Sequence, residues 1–421
     1  MEEQSVIIVG AGLAGLSCAY YLKKQRIPFV ILEASNAPGG RIRTDVLEGF
    51  QLDRGFQVFL TAYPEARRVL NYQELNLKSF IPGALVRYQG RFHRVSDPVR
   101  DPAHTIETLA SPIGTLADKL QVARLKFKSP ARNGRRQSTR EALSEMGFSD
   151  SIIERFFRPF FAGIFLEKEL QTTSRNFSFL FQMFSSGDTT LPELGMEEIP
   201  RQLALAIGIE NIRLHRRVVA VAENTVALAD GTSMSAAHIV VATEGSAASE
   251  LLFDAVPENS DNAVTCLYYG ADTPPLSEPI LVLNGEDGGL INNLCVPSHV
   301  SRAYAPQGKS LISVSVLGNP RLSDAELERQ VRRELEDWYG AQVQQWQHLR
   351  TYRIENALPR QIVGSVPDQP PNCELRPGVY VCGDHMQMGS INGALESGRH
   401  VASLIGARIT GGAAAAARSQ A

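Results

Sequence analysis

Apolar runs of strand length alternate with glycine-rich loops and helix-like stretches along this chain. Residues 5–9 form a short β-branched run, residues 16–22 have a helix-like composition, and residues 29–32 form a second apolar run. Runs of β-branched residues bounded by glycine predict strands, whereas the longer stretch between them predicts a helix. The start of the chain therefore predicts a strand, a tight loop, a helix and a second strand.

The loop after the first strand is Gly10-Ala11-Gly12-Leu13-Ala14-Gly15, and the second strand ends at Glu33. In such a loop Gly10 permits the turn, Gly12 lets the backbone approach a pyrophosphate, and Gly15 lets the helix pack on the strand. The N–H groups at the start of the helix attract phosphate, and Glu33 can accept hydrogen bonds from ribose hydroxyls. This pattern indicates a dinucleotide site, and the acid disfavours a 2′-phosphate.

Two further segments carry similar chemistry. After Glu33 the chain reads Ala34 and then Gly39-Gly40-Arg41, where the arginine can neutralise a pyrophosphate. Near the other end, residues 378–384 form a strand that ends in Gly383-Asp384, and a glycine-bearing loop then opens a helix near Ile391. A carboxylate beside a helix N-terminus is a second place that suits a sugar-phosphate or an electron-rich ring. The two ends of the chain are therefore expected to meet in space.

These segments resemble the flavin-containing amine oxidase superfamily, which includes amine oxidases, protoporphyrinogen oxidases and carotene desaturases. The resemblance implies FAD as the cofactor, a pyrophosphate role for Arg41, a ribityl or pyrophosphate role for Asp384, and an adenine contact for Val218. It also implies that the helix after Ile391 points its N-terminus at the flavin ring. The predicted FAD-binding residues are Gly10, Gly12, Ala14, Gly15, Glu33, Ala34, Gly39, Gly40, Arg41, Gly55, Val218, Gly383, Asp384, Ser390 and Ile391.

The predicted fold class is α/β, with a dinucleotide-binding FAD domain of the GxGxxG type and an inserted α+β substrate domain. We expect the FAD domain to comprise residues 1–80, 200–255 and 365–410, and the substrate domain to comprise 81–199 and 256–364. The predicted substrate-domain elements are a hairpin at 85–93, helices up to about residue 207, a helix over 324–338, and strands at 264–269, 280–283, 311–316 and 348–354. Strands are also expected at 213–221, 226–228 and 238–243, and residues 411–421 as a loose tail.

Nine phenylalanines are concentrated between residues 156 and 184. They predict either a packed helical core or a channel for a long apolar substrate, and both can hold at once.

Residues 52–65, which include Gln57 and Tyr63, look like a segment of plant and cyanobacterial carotene desaturases, although those enzymes usually have His where Gln57 stands. Ala357-Leu358-Pro359 looks more like protoporphyrinogen oxidases. Three hypotheses follow: a desaturase or dehydrogenase of an isoprenoid or polyene, an oxidase of protoporphyrinogen or amines, and a flavin-dependent isomerase without net oxidation. Neither Cys373 nor Cys382 sits in the motif that attaches FAD covalently, so a noncovalent flavin is expected.

Hydride abstraction by a flavin needs orientation and a dry pocket more than it needs catalytic side chains. By position, the candidates in the pocket are Gln57, Tyr63, His385 and Gln387, each of which also suits a structural hydrogen-bonding role. Because no second glycine fingerprint follows a later strand, the expected electron acceptor is a quinone or O2.

The composition of the chain limits which classes of partner are expected. The 421 residues carry a net charge of -3 and 43% hydrophobic residues, which gives no reason to expect nucleic acid. Five scattered cysteines favour a reducing compartment without disulfides or a metal site. The acidic start of the chain argues against a secretory signal, so we expect a cytoplasmic protein, with peripheral membrane contact left open.

Overall fold

A computed structural model describes residues 6–96, 100–127, 137–252, 261–365 and 372–419. Its strands, in chain order, are β1 Val6–Val9, β2 Phe29–Leu32, β3 Thr44–Leu47, β4 Phe50–Asp53, β5 Phe59–Leu60, β6 Lys78–Ser79, β7 Gly83–Tyr88, β8 Arg91–Ser96, β9 Thr189–Leu191, β10 Ile212–Arg213, β11 Val218–Val221, β12 Thr225–Leu228, β13 Ser233–Ser235, β14 His238–Val241, β15 Asp261–Ala271, β16 Leu281–Asn284, β17 Ile291–Cys295, β18 Ser310–Leu317, β19 Gln347–Pro359, β20 Glu374–Arg376 and β21 Val379–Val381. Its α-helices are α1 Leu13–Lys24, α2 Ala66–Val69, α3 Tyr72–Leu75, α4 Thr105–Ala110, α5 Leu116–Phe127, α6 Thr139–Glu145, α7 Asp150–Ile152, α8 Arg158–Phe165, α9 Ser174–Ser186, α10 Glu198–Ile207, α11 Gly245–Leu252, α12 Pro297–Val300, α13 Asp324–Tyr339 and α14 Ile391–Ser419.

The first sheet joins the two ends of the chain, as the sequence predicts. Its order is β10-β2-β1-β14-β21-β20, and the pairs among β10, β2, β1, β14 and β21 are parallel. Every residue of β1, β2, β14 and β21 is buried, which is typical of parallel strands covered on both faces. Helix α14 packs on α1 closely enough that a Cβ on Gly398 would lie 2.1 Å from the Ala14 carbonyl oxygen.

The second sheet has the order β19-β15-β18-β17-β16-β7-β8 and takes its strands from residues 83–96 and 261–359. Strands β7 and β8 form the predicted hairpin, whose turn residues Gln89 and Gly90 both have positive φ angles, 50° and 72°. Helix α13 covers one face of the sheet with Leu327, Val331 and Leu335. The confirmed fold class is mixed α/β, and the division into domains stays a prediction.

Asp53, at the end of β4, links the β3–β4 hairpin to the second sheet. Its carboxylate accepts hydrogen bonds from Thr44 Oγ1 at 2.6 Å and Tyr304 Oη at 2.7 Å, and its carbonyl oxygen accepts one from Tyr268 Oη at 2.8 Å. Burial raises the pKa of this carboxyl to about 6, although the hydrogen bonds from Thr44 and Tyr304 oppose the shift. The contacts hold the segment that follows, with Gly55 and Gln57, against the substrate-domain sheet.

Two predicted elements differ in the structure, and one strand between the predicted ones was missed. The single strand expected at 213–221 is divided into β10 and β11, because His215 has a φ of 55° and the Arg216 N–H bonds to the Glu33 carbonyl oxygen instead of to a strand. Strand β17 was not predicted. The backbone of 411–419 continues α14 rather than forming a loose tail, and its run of alanines has high helix propensity. Among the described residues, no helix combines the length and apolar character needed to cross a bilayer.

Candidate active site

A cavity of about 1090 Å³ extends from the glycine-rich loop after β1 to the phenylalanine-rich helices. Its walls come from both ends of the chain and from the substrate domain. All the predicted FAD-binding residues line it except Gly15. The residue types that line it change from glycines and charged groups at one end to leucine, isoleucine and phenylalanine at the other.

The loop after β1 leaves the start of α1 free to bind an anion. Gly12 is the N-cap residue, no side chain caps the helix, and no acid lies in its first turn. Gly10 has a φ of 103°, which favours glycine. Gly15 lies outside the cavity and packs against the loop, since a Cβ there would be 2.1 Å from the Gly10 carbonyl oxygen. The N–H groups of the first helical turn therefore need partners from outside the helix.

Glu33 is buried at the end of β2 and fixes the loop. Its Oε2 accepts a hydrogen bond from the Ala11 N–H at 2.7 Å, and its Oε1 accepts one from the Ser35 N–H at 2.8 Å. Ala34 and Val218 line the cavity beside it. The carboxylate thus combines a structural role in the loop with a position on the cavity wall.

Arg41 and Asp384 form an ion pair across the cavity, with Nη2 2.5 Å from Oδ1. Arg41 also donates to the Ala357 carbonyl oxygen at 2.9 Å, and its own carbonyl oxygen accepts a hydrogen bond from Gln57 Nε2 at 3.0 Å. Burial opposes the charge on Arg41, but the Asp384 carboxylate outweighs burial, so the pKa of Arg41 is raised. The guanidinium is therefore a fixed positive charge on the cavity wall.

Two acids that the sequence analysis did not identify lie near this pair. Burial raises the pKa of Asp261 to about 6; Arg41 opposes this, while Asp384 and Glu244 add to it. The Oδ1 atom of Asp261 is buried and has no hydrogen-bond partner among the described residues. Glu244 follows β14 at the carboxyl end of a parallel strand, a position that could have been recognised. Asp261 is brought here only by the pairing of β15, and no local signal marked it.

The second predicted cofactor segment lies opposite the first. The Gly383 N–H bonds to Ser397 Oγ at 3.1 Å, which fixes the end of β21 against α14. Ser390 Oγ accepts a hydrogen bond from the Gly393 N–H at 3.0 Å at the start of α14, and Ile391 lies on the cavity wall. The N-termini of α1 and α14 thus both reach the cavity.

The four catalytic candidates fall into two pairs. Gln57 and Tyr63 line the cavity; Tyr63 stacks on Phe179 with an interplanar angle of 9°, and burial raises its pKa. The structure does not place His385 or Gln387 on the cavity wall. A 3₁₀ turn at Asp384–Met386 points successive side chains in different directions, so Asp384 faces the cavity and His385 packs against Gly245.

His385 is buried, and burial lowers its pKa. Within the described parts of the chain, neither of its ring nitrogens has a hydrogen-bond partner. The Gln387 carbonyl oxygen accepts a hydrogen bond from Gln361 Nε2 at 2.5 Å. Gln387 therefore contributes to the loop before α14 rather than to the cavity.

The phenylalanines separate into core and cavity groups. Phe165 and Phe177 are buried and lie away from the cavity, whereas those that line it are Phe156, Phe157, Phe160, Phe161, Phe181 and Phe184. Phe157 and Phe161 belong to both groups, because they are almost fully buried yet form part of the wall. Both predicted roles, a helical core and an apolar wall, are thus present.

The sequence matches a family model along most of its length and curated relatives over a smaller part. The family model for flavin containing amine oxidoreductase matches residues 13–406. Protoporphyrinogen oxidase 2, chloroplastic/mitochondrial, of Arabidopsis thaliana is 28% identical over 168 residues, which is 39% of this chain and 33% of that protein. Coproporphyrinogen III oxidase of Staphylococcus aureus is 46% identical over 59 residues, 14% of this chain and 13% of that protein. The chain thus covers a third or less of the length of these relatives.

Solved structures share the fold over nearly the whole chain. An oxidoreductase from Methanosarcina mazei has a TM-score of 0.76 at 19% identity, covering 94% of this chain and 99% of its own. A double mutant of putrescine oxidase has a TM-score of 0.73 at 16% identity, covering 95% and 98%. At these identities the likeness establishes the fold only.

Proposed function

We propose that this chain, which belongs to the flavin-containing amine oxidoreductase family, is an FAD-dependent oxidoreductase that removes hydride from a carbon atom of a long apolar substrate. Its first candidate activity is desaturation of an isoprenoid or polyene. The single observation that carries this proposal is the continuous cavity, which joins the glycine-rich loop to a wall of phenylalanine side chains. An apolar wall of this kind suits a substrate that is itself apolar.

The residues on the cavity wall fit FAD. The uncapped N-terminus of α1 suits the pyrophosphate, Glu33 suits the ribose, and Val218 suits the adenine face. Arg41, held by Asp384, would balance phosphate charge. We propose that the flavin is held without a covalent bond. When bound, FAD supplies the acceptor for hydride.

The protein's own contribution is to orient the substrate and exclude water. The apolar walls of α8 and α9 remove water from a bound polyene, and Tyr63 extends this wall toward the cofactor residues. Gln57 donates to the Arg41 and Arg54 carbonyl oxygens, so it fixes the loop and is proposed to act as a positioning residue. No described side chain on the wall needs to act as a nucleophile for this chemistry.

A second candidate is oxidation of a porphyrinogen. The relatives named above support it, as does the position of Arg100 and Lys119 on the cavity wall, where they could meet substrate carboxylates. Arg100 pairs with Asp188, and Lys119 donates to two carbonyl oxygens, so both cations already have partners. For this reason we rank the polyene first. We propose a quinone or O2 as the final electron acceptor and the cytoplasm as the location.

The test is the mass of the product. The FAD-loaded protein is incubated with a phytoene-type polyene, protoporphyrinogen, coproporphyrinogen or an amine, with a quinone or O2 as acceptor. We expect a polyene product that has lost two hydrogens for each new double bond. A polyene of unchanged mass but altered absorbance would indicate isomerisation, and oxidation of the porphyrinogen or amine alone would overturn the polyene assignment.

A further inference from the structure

The second sheet has one apolar face and one face with small polar side chains. On the face covered by α13, strand β18 contributes Ile312, Val314 and Val316, which are buried in an apolar cluster. On the opposite face the same strand contributes Ser313 and Ser315, which are also buried. Burying a polar group costs free energy unless it has a hydrogen-bond partner, so this polar face needs an explanation.

One cross-strand row of this polar face ends at the cavity. Ser315 lies in register with Cys266 of β15 on one side and with Asn293 of β17 on the other. The next strand, β16, places Leu283 in register with Asn293. Asn293 and Leu283 line the cavity, whereas Ser315 and Cys266 lie behind them in the sheet. Asn293 is thus the member of the polar row that a bound substrate can contact.

A β-bulge turns Asn293 towards the cavity. The register between β17 and β18 shifts between Ile291 and Asn293, so Asn292 is an extra residue in β17. Side chains two residues apart in a regular strand share a face of the sheet. Here Ile291 packs in the apolar cluster with α13, whereas Asn293 lies on the cavity wall. Bulges that redirect a side chain in this way are common beside active sites.

Hydrogen bonds fix the orientation of the Asn293 amide. Asn292 Nδ2 donates to the Pro159 carbonyl oxygen at 3.0 Å and to Asn293 Oδ1 at 2.9 Å, so Oδ1 faces the neighbouring asparagine. Asn293 Nδ2 donates to Ser315 Oγ at 3.3 Å. An asparagine amide has two N–H donors and two acceptor lone pairs, and these contacts use one of each. Among the described residues, one N–H of Asn293 is therefore left for a ligand.

Helix α8 leaves room for this amide because a glycine lies opposite the two asparagines. A Cβ on Gly163 would lie 3.0 Å from Asn292 Nδ2 and 3.1 Å from Asn293 Oδ1. Gly163 itself lines the cavity, as do Phe160 of the same helix and Leu283 of β16. The Asn293 amide is therefore a polar group among apolar side chains on the cavity wall.

The distance from Asn293 to the cofactor residues sets a minimum length for the substrate. Val264 of β15 lines the cavity, and its Cγ1 would lie 4.0 Å from a Cβ on Gly55, a predicted FAD-binding residue. Val264 is two residues from Cys266, and β15 and β17 are two strand spacings apart. At ~3.4 Å per residue and ~4.8 Å per strand, Asn293 and Val264 are roughly 12 Å apart, and a substrate that contacts both must span this distance.

We propose that Asn293 determines substrate specificity by donating a hydrogen bond from Nδ2 to an oxygen atom, of a hydroxyl or carbonyl group, that the apolar substrate carries. The rest of the substrate packs on the phenylalanine side chains of the wall. A site built to bond such an oxygen discriminates against the hydrocarbon that lacks it, because the amide N–H is then buried without a partner. This proposal narrows the substrate class of the proposed function, on which it rests, to oxygen-bearing isoprenoids.

The experiment measures binding of two saturated isoprenoids to the FAD-loaded protein without an electron acceptor, so that turnover does not affect the result. The probes are phytone, which carries a ketone oxygen, and phytane, a hydrocarbon, and each displaces the apolar fluorophore Nile red. The quantity compared between proteins is the Kd of phytane divided by the Kd of phytone, because differences in solubility cancel in that comparison. We expect this ratio to fall at least about tenfold in Asn293→Leu and in Asn293→Ala.

Both variants keep the hydrogen bond from Asn292 to the Pro159 carbonyl oxygen, which joins β17 to α8. The matched control is Ser313→Ala, which removes a buried hydroxyl from the same face of the sheet, away from the cavity wall, and should leave the ratio unchanged. Flavin absorbance and thermal unfolding check that each variant is folded, and the alanine variant decides if the leucine variant is not.

An unchanged ratio in a folded Asn293 variant would overturn the role of Asn293 and leave the proposed oxidation standing. Failure of the parent to bind either probe would overturn the proposed apolar substrate, and with it the role of Asn293.

Discussion

Arg41 and Asp384, which are 343 positions apart in the sequence, form an ion pair on the cavity wall. Arg41 follows the loop that contains Gly39 and Gly40, and Asp384 follows β21, so the pair joins the first and last parts of the chain. It also holds a positive charge on the same cavity that the N-termini of α1 and α14 line. This arrangement explains why the cofactor signature is split between the two ends of the sequence.

Replacing Glu33 by Ala should weaken FAD binding. The change removes the acceptor of the Ala11 and Ser35 N–H groups as well as the proposed ribose contact, so we expect the Kd to rise at least about tenfold. Fluorescence titration of the apoprotein measures it. Glu223→Ala, at an exposed acid elsewhere, is the control and should leave the Kd unchanged. Full flavin content in the Glu33 variant would show that the ribose assignment is wrong.

Gly12 and Gly15 should respond differently to substitution by Ala. A Cβ on Gly12 would meet no described protein atom within 4 Å, and its φ is −71°, so Gly12→Ala should fold with a stability change below about 1 kcal/mol. The Gly12 variant should nevertheless lose FAD, because the new methyl group fills the space in which the backbone approaches the proposed pyrophosphate. Gly15→Ala should be destabilised by about 1–3 kcal/mol through its clash with Gly10. Denaturant unfolding and flavin content are measured for both variants to compare their stability and their FAD binding. Normal FAD binding by the Gly12 variant would contradict the proposed pyrophosphate site.

FAD affinity should fall as pH rises through about 6. Asp261 has a raised pKa of about 6, so its carboxyl is neutral below that pH and adds a negative charge above it, near Asp384 and Glu244. Arg41 interacts electrostatically with this carboxyl, and a negative charge added here opposes the binding of a pyrophosphate. Because a single proton is coupled to binding, the Kd of FAD can change by at most about tenfold per pH unit.

The measurement is the Kd of FAD across this pH range for the parent and for Asp261→Asn. The variant should bind FAD with a flatter pH profile and should match the parent most closely below pH 6. An identical slope in both proteins would exclude Asp261 as the titrating group.

Substitutions of Phe160 and Phe177 test the division of the phenylalanines into cavity wall and core. Phe177 is fully buried away from the cavity, so Phe177→Ala should lower the free energy of unfolding by about 3–5 kcal/mol. Phe160 is half-buried on the cavity wall, and Phe160→Ala should cost less stability while raising the KM for an apolar substrate. Equal stability losses with unchanged KM would assign both residues to the core.

The sequence predicted the parts of this molecule that depend on local pattern. Strand β1, the glycine loop, helix α1 and Glu33 follow one another in a single unit, and helix α13 begins at its predicted residue, where Ser323 accepts a hydrogen bond from the Glu326 N–H. Strand β17 was missed because Asn292 and Asn293 interrupt its apolar run. Their side chains are buried and form tertiary hydrogen bonds, such as that from Asn292 Nδ2 to the Pro159 carbonyl oxygen.

The acids around Arg41 also depend on tertiary structure. Asp261 pairs in register with Pro359, far away in the sequence, and Glu244 reaches the cavity because β14 lies between β1 and β21. The direction of His385 follows from one 3₁₀ turn after Gly383, which local sequence did not reveal. Sequence motifs thus predicted the residues of the candidate cofactor site, whereas they did not predict the acids near Arg41.

The most direct test of the account is anaerobic reduction of the flavin by candidate substrates. The purified, FAD-loaded protein is mixed without oxygen with a phytoene-type polyene in vesicles and, separately, with protoporphyrinogen and a set of amines, while the absorbance of the oxidised flavin is followed. We expect the polyene to bleach this absorbance and the amines to leave it unchanged. Bleaching by protoporphyrinogen or an amine, with none by the polyene, would contradict the account.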